Sequence, residues 1–248
     1  MTAALTCGFL PVSMSDARQA PSSFLNKLYD QFPESKHSAI RMMRSSRRQG
    51  RGERYREGRR RPEGPSLRLF IAAEIPPPAT RKLAGWQTEF LASDRSLRLV
   101  PEAQLHITLI FLGQMGEEEL QGAAGQLAEL RQQDPLTSFE VTAGGLVGLS
   151  KGRNLRVIAA SLEEPAGRLK AIHDELAAGL VQKKIYKREK RRFFPHVTIA
   201  RARGRVALNP AEIRPDPVKF TAVRITLYNS ILKPSGAIHQ ALETVQLN

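Results

Sequence analysis

Two stretches of the chain carry one chemical pattern: "LHITLIFLG" at residues 105–113 and "PHVTIAR" at residues 195–201. Each sets a histidine two residues before a threonine, inside an aliphatic and aromatic run that reads as a buried strand. Side chains alternate faces along a strand, so His106 shares a face with Thr108, and His196 with Thr198. Leu105, Ile107, Leu109 and Phe111 then fall on the opposite, core-facing side of the first strand, as do Val197 and Ile199 on the second. Two imidazoles titrating near neutrality suit opposed proton transfers, one taking a proton while the other gives one. The hydroxyls of Thr108 and Thr198, with the Arg201 guanidinium, suit a phosphoryl group whose negative charge grows during reaction. That set fits in-line cleavage of a phosphodiester without a metal. A zinc site needs three or four ligands, and no carboxylate, thiolate or further histidine accompanies either motif.

Rigid elements must position these groups, and the sequence supplies them from Ser66 onward. "LRLFIAAEI" reads as a strand, and the prolines at 76–78 lead into a helix through "ATRKLAGWQTEFLAS". "GEEELQGAAGQLAELRQQ" is an amphipathic helix with acidic residues in its first turn, where the helix dipole favours them. "SFEVTAGGLVGL" and "LRVIAASL" read as strands, "EEPAGRLKAIHDELAAGLVQ" as a helix, and the last thirty residues as β-rich. Gly144 and Gly145 predict a bulge or a turn. "LRLFIAAEIPP" at 67 is echoed by "LRVIAASLEEP" at 155, an offset of 88, and the two His-x-Thr motifs stand 90 apart. Two landmarks at nearly one offset predict an internal duplication. The expected fold is α+β: two pseudo-twofold-related strand-helix-strand lobes, with mainly antiparallel sheets flanking a central cleft and helices outside.

Composition divides the chain near residue 65. Residues 1–65 hold 13 of the 38 Lys and Arg and 6 of the 24 Asp and Glu, a net charge of +7 out of +14. This Arg-, Gly- and Ser-rich stretch lacks core-forming residues and is expected to be a disordered basic extension, with residues 66–248 the folded domain. The positive charge points to a polyanionic partner. A single cysteine, Cys7, excludes an internal disulfide and suits a reducing compartment. No apolar run reaches the length of a membrane span, so a cytoplasmic protein with no membrane partner is expected. The run "KKIYKREKRR" before the second motif could form a basic lip toward the site. His173 reads as a satisfied histidine on a polar helix face, and Trp86 as core.

The paired "HITL" and "HVTI", with "RLFIAAEIP" opening the domain and "FLG" after the first motif, resemble the two-histidine (2H) phosphoesterase superfamily. The similarity is to its RNA 2',3'-cyclic phosphodiesterase branch, also called 2'-5' RNA ligases. It runs from about Leu67 to the C-terminus and includes Phe193, Pro195 and Arg201 around the second motif, and Ser230 and Gly236 in "SILKPSGAIHQAL". His239 stands where the resemblance leads us to expect a tyrosine. The resemblance implies hydrolysis of a 2',3'-cyclic phosphate at an RNA end, tRNA fragments included, to a 2'-phosphate by a monomer that needs no cofactor. It implies His196 as proton acceptor and His106 as proton donor, an order the residues alone do not set. It implies Thr108, Thr198 and Arg201 on the phosphate, and Phe193 either stacked on a base or in the core. Two alternatives stand beside it: reversible 2'-5' ligation at the same site, and a non-catalytic RNA-binding protein.

Overall fold

The computed structural model describes residues 66–133, 137–152, 154–233 and 236–248. The expected basic extension, residues 1–65, lies outside the described residues. Strand β1 (Leu67–Glu74) leads into helix α1 (Pro77–Trp86), which runs on through a π-helical turn at Gln87–Leu91. A short β2 (Leu97–Leu99), β3 (His106–Met115), α2 (Glu117–Gln133) and β4 (Phe139–Lys151) complete the first half. The second comprises β5 (Asn154–Glu163), α3 (Arg168–Gln182), β6 (His196–Ala202), β7 (Val218–Ala222), β8 (Arg224–Lys233) and β9 (Gly236–Gln246). The helices follow their sequence signals: Pro77 opens α1, and α2 carries Glu117, Glu118 and Glu119 in its first turn.

All nine strands form one antiparallel sheet in the order β7-β4-β5-β6-β3-β1-β8-β9, with β2 paired to β6. The two motif strands lie at its centre. They share a single pairing, Ile107 with Val197, and β1 and β5 flank them symmetrically. The halves also interlock: β4 follows the first repeat but pairs with β5, whereas β8 follows the second and pairs with β1. The fold is therefore α+β with an internal twofold, as expected, but each half closes with a strand from the other.

One detail of the repeat differs from its sequence reading. Glu74, Ala73 and Ala72 pair with His106, Ile107 and Thr108, while Ser161, Ala160 and Ala159 pair with His196, Val197 and Thr198. The flanking strands are equivalent at an offset of 87, one less than the 88 of the matching letters. A one-residue slip exchanges the two faces of a strand, and the apolar cluster marks the true phase: Ile71 and Ala73 match Ile158 and Ala160, all four within it, whereas Ala72 and Ala159 lie outside it.

The helices cover one face of the sheet, where Leu83, Trp86, Leu127, Leu130, Leu169 and Leu176 join Ile107, Val197 and Ile199 in one apolar cluster. Helices α2 and α3 approach closely, because a side chain at Gly179 would collide with Gln126. Among the described residues no helix is long and apolar enough to cross a membrane.

Candidate active site

The central strands hold the histidines in identical fashion. His106 places Nδ1 2.7 Å from the carbonyl of Gln104, and His196 places Nδ1 2.8 Å from that of Phe194. A carbonyl only accepts, so each Nδ1 carries a hydrogen and each Nε2 is left as the working nitrogen. Gln104 and Phe194 stand 90 residues apart, like the histidines, so the duplication preserves the backbone clamp that sets both tautomers. Carried one residue each way, the Ile107–Val197 pairing sets His106 across from Thr198 and Thr108 across from His196. Directly opposed residues share a face. The four predicted groups therefore meet on the face away from the helices, each half-buried.

His106 is the more enclosed of the two. Its Nε2 lies 3.0 Å from Thr108 Oγ1. Its ring packs at centroid distances of 4.9 Å from Phe70 and 5.2 Å from His239, the latter at 89°. Burial lowers its pKa to about 4, against the Gln104 hydrogen bond, with His239, Arg201 and His196 adding to the depression. Those electrostatic neighbours confirm that the second motif's histidine and arginine lie within range of the first motif. Glu74, directly across β1, is already engaged: it accepts from Thr226 Oγ1 at 2.6 Å and Tyr228 OH at 3.1 Å, and pairs with Arg224 at 2.7 Å.

Two bulges, again 90 residues apart, set what stands beyond the threonines. The β1–β3 register shifts at Leu109 and the β5–β6 register at Ile199, each inserting one residue into the motif strand. After a bulge the alternation changes phase, so the third residue past the threonine, not the second or fourth, rejoins the histidine face. That residue is Phe111 in the first strand and Arg201 in the second. Phe111, expected on the core side, is instead 39% exposed, while Leu109 and Ile110 are both buried. The Arg68 guanidinium lies 5.0 Å from its ring centroid. Partial burial and the charges of Arg98 and Arg68 lower the Arg201 pKa.

Phe193 is placed elsewhere. Its ring stacks on His173 at 4.3 Å and packs against the core, whereas Phe194 is 47% exposed and stacks near His196 at 5.9 Å. His173 is satisfied as expected, with Nδ1 3.0 Å from Asp174, and Trp86 is buried. Within the basic run, Ile185 and Tyr186 are buried and residues 187–192 exposed. The spacing Gly148-x-Ser150-x-Gly152 matches a nucleophile elbow, but it lies in the β4–β5 hairpin and not at a strand-to-helix turn. Among the described residues no group of three His, Cys, Asp or Glu side chains is arranged to hold a metal ion.

Sequence reasoning missed Gln104, Phe111, Phe194, Arg68 and Arg98, and noted His239 only as a departure. The repeated carbonyl clamp could have been found by asking which backbone groups stand two residues before each histidine. The bulges left no comparable mark.

Relatives share this frame. "RNA 2',3'-cyclic phosphodiesterase" of Thermotoga maritima is 27% identical over 187 residues, covering 73% of this chain and 95% of that protein. Its namesake from Archaeoglobus fulgidus is 29% identical, covering 73% and 100%. Of solved structures, TT0787 of Thermus thermophilus superposes with a TM-score of 0.61 at 28% identity, covering 73% and 98%. E. coli LigT complexed with 3'-AMP does so with 0.58 at 22% identity, covering 74% and 99%. The profile of the 2'-5' RNA ligase superfamily matches residues 75–232, a span holding both histidine clamps, both threonines and Arg201. By that match the chain belongs to the 2'-5' RNA ligase superfamily.

Proposed function

We propose that the protein hydrolyses the 2',3'-cyclic phosphate at RNA ends to a 2'-phosphate, without a metal ion. The observation that carries this reading is the duplicated clamp: two imidazoles, each with Nδ1 held by a backbone carbonyl and Nε2 turned away from it, on either side of the sheet's central pairing. In this mechanism His196 Nε2 accepts a proton from water as the water oxygen bonds to phosphorus. The bond from phosphorus to O3' breaks, and His106 Nε2 gives O3' its proton. The products are a 2'-phosphomonoester and a free 3'-hydroxyl, and the two histidines exchange protonation states. Thr108 and Thr198 hold the nonbridging oxygens, and Arg201 meets the charge that grows on them. Phe193 serves His173 and the core; the base-stacking role considered for it fits the exposed Phe194 better. Residues 66–248 act as the catalytic unit and the basic stretch 1–65 strengthens attraction to RNA. The family match also supports joining of RNA ends through a 2'-5' linkage, in which the 5'-hydroxyl of a second strand takes the place of water and the same bond from phosphorus to O3' breaks.

The test is an assay of RNA bearing a 2',3'-cyclic phosphate in EDTA. Product with a 2'-phosphate is expected, and its absence with folded protein rejects the reading. His106→Gln and His196→Gln should each lower kcat about 10²–10⁴-fold. A loss under about tenfold in either would remove that residue from proton transfer. Incubating RNA halves that carry a 2',3'-cyclic phosphate and a 5'-hydroxyl, and looking for joined product, measures the joining reaction.

A further inference from the structure

The proposed chemistry engages one phosphate, yet the site face carries more positive charge than one phosphate requires. Arg98 of β2 pairs directly with Arg201 of β6. Its neighbours Leu97 and Leu99 turn toward the core, leaving Arg98 exposed on the side that Arg201 occupies. Two cations directly opposed on a sheet destabilise it unless an anion lies between them. Among the described residues neither forms an ion pair with a carboxylate. The β2 strand is also held for this purpose by more than its own three residues. Val100 N donates to the carbonyl of Ile199, the bulge residue, at 2.9 Å, and Arg203 N donates to that of Ser96 at 2.7 Å.

The start of β9 shows where Arg98 lies relative to the histidines. Its guanidinium sits beside Gly236, with Nη2 3.8 Å from where a Cβ would be, Gln104 Nε2 donates to the carbonyl of Ala237, and His239 packs on His106. Along that strand the order is Arg98, Gln104, His106. Arg98 therefore marks a position displaced from the reacting phosphorus, bridged to it by Arg201.

Building on the proposed activity, we infer that Arg98, with Arg201, binds the internucleotide phosphate adjoining the cyclic one. The substrate class is then an oligonucleotide end, and a lone nucleoside 2',3'-cyclic phosphate is a poor substrate because it lacks the second anion.

The experiment compares three substrates with the full chain: a nucleoside 2',3'-cyclic phosphate, a dinucleotide ending in a cyclic phosphate, and the same dinucleotide with a neutral methylphosphonate linkage. Wild-type kcat/KM should be about tenfold or more higher for the charged dinucleotide than for either of the others. In Arg98→Gln the ratio of charged dinucleotide to mononucleotide should collapse toward one, with a smaller salt dependence, and Arg98→Lys should restore part of both. Equal losses on all three substrates would place Arg98 at the scissile phosphate, and an unchanged ratio would give it no role; either overturns the inference. Turnover of none by the wild-type chain would instead reject the activity itself, and this subsite with it.

Discussion

The two histidines are chemically matched by their backbone clamps but not by their surroundings. His106 is packed against Phe70 and His239, and its pKa is lowered from 6.5 to about 4, chiefly by burial. Two consequences can be measured. An unfolded chain protonates this histidine below about pH 6.5, whereas the folded chain resists until about 4. Its contribution to folding stability is complete above the unfolded value and is lost as pH falls, by on the order of 2 kcal/mol near pH 5. His106→Gln should therefore lose less melting temperature than wild type between about pH 7 and pH 5; an equal loss would show that the ring is not held neutral. The proposed donor role also requires a ring that is neutral in the empty site to carry a proton beside a bound anion. Calorimetry with a 2'-phosphorylated RNA end, in two buffers of different ionisation enthalpy near pH 6, should show uptake of about one proton. That uptake should vanish in His106→Gln. Binding without uptake would assign His106 the accepting role instead.

At the scale of elements, the bulges at Leu109 and Ile199 make the site, because each re-aims the strand after its His-x-Thr pair. Strict alternation would bury Arg201 and Phe111 with Ile107 and Val197. The carbonyl freed by the second bulge is satisfied twice, by Val100 N at 2.9 Å and by Gln87 Nε2 at 2.6 Å. Gln87 also donates to the Val100 carbonyl at 2.8 Å, so a side chain from the π-helical turn ties β2 to the bulge. Gln87→Leu leaves buried carbonyls short of donors and should cost about 1–3 kcal/mol in denaturant unfolding. It should also lower kcat/KM non-additively with Arg201→Gln, since both act through the position of one guanidinium. Additive losses would separate the bulge from the placement of Arg201.

Across the whole molecule, the exchange of β4 and β8 means that neither half owns a complete sheet. The only pairing between the motif strands is Ile107 with Val197, yet the closing strands and the shared apolar cluster bind the halves together. Helix α1, from the first half, packs against β7 of the second. Unfolding of residues 66–248 is expected to be one transition. Fluorescence of Trp86, the sole tryptophan, which lies on α1, should follow the same denaturant curve as far-ultraviolet circular dichroism. Separate midpoints would show that the halves fold independently.

Much of this was legible beforehand. The helices at Pro77–Trp86, Glu117–Gln133 and Arg168–Gln182, the two motif strands, and the convergence of His106, Thr108, His196 and Thr198 all follow from periodicity and repeat spacing, which are local properties of the chain. By itself the sequence determined which side chains could do the chemistry and that they come in two copies. Which strand closes which half, the true phase of the flanking strands, and the exposure of Phe111 and Arg201 were decided only by the tertiary structure. The reason is physical: a bulge and a strand exchange depend on hydrogen bonds between residues far apart, such as Gln87 with Ile199, and alternation along one strand carries no record of them.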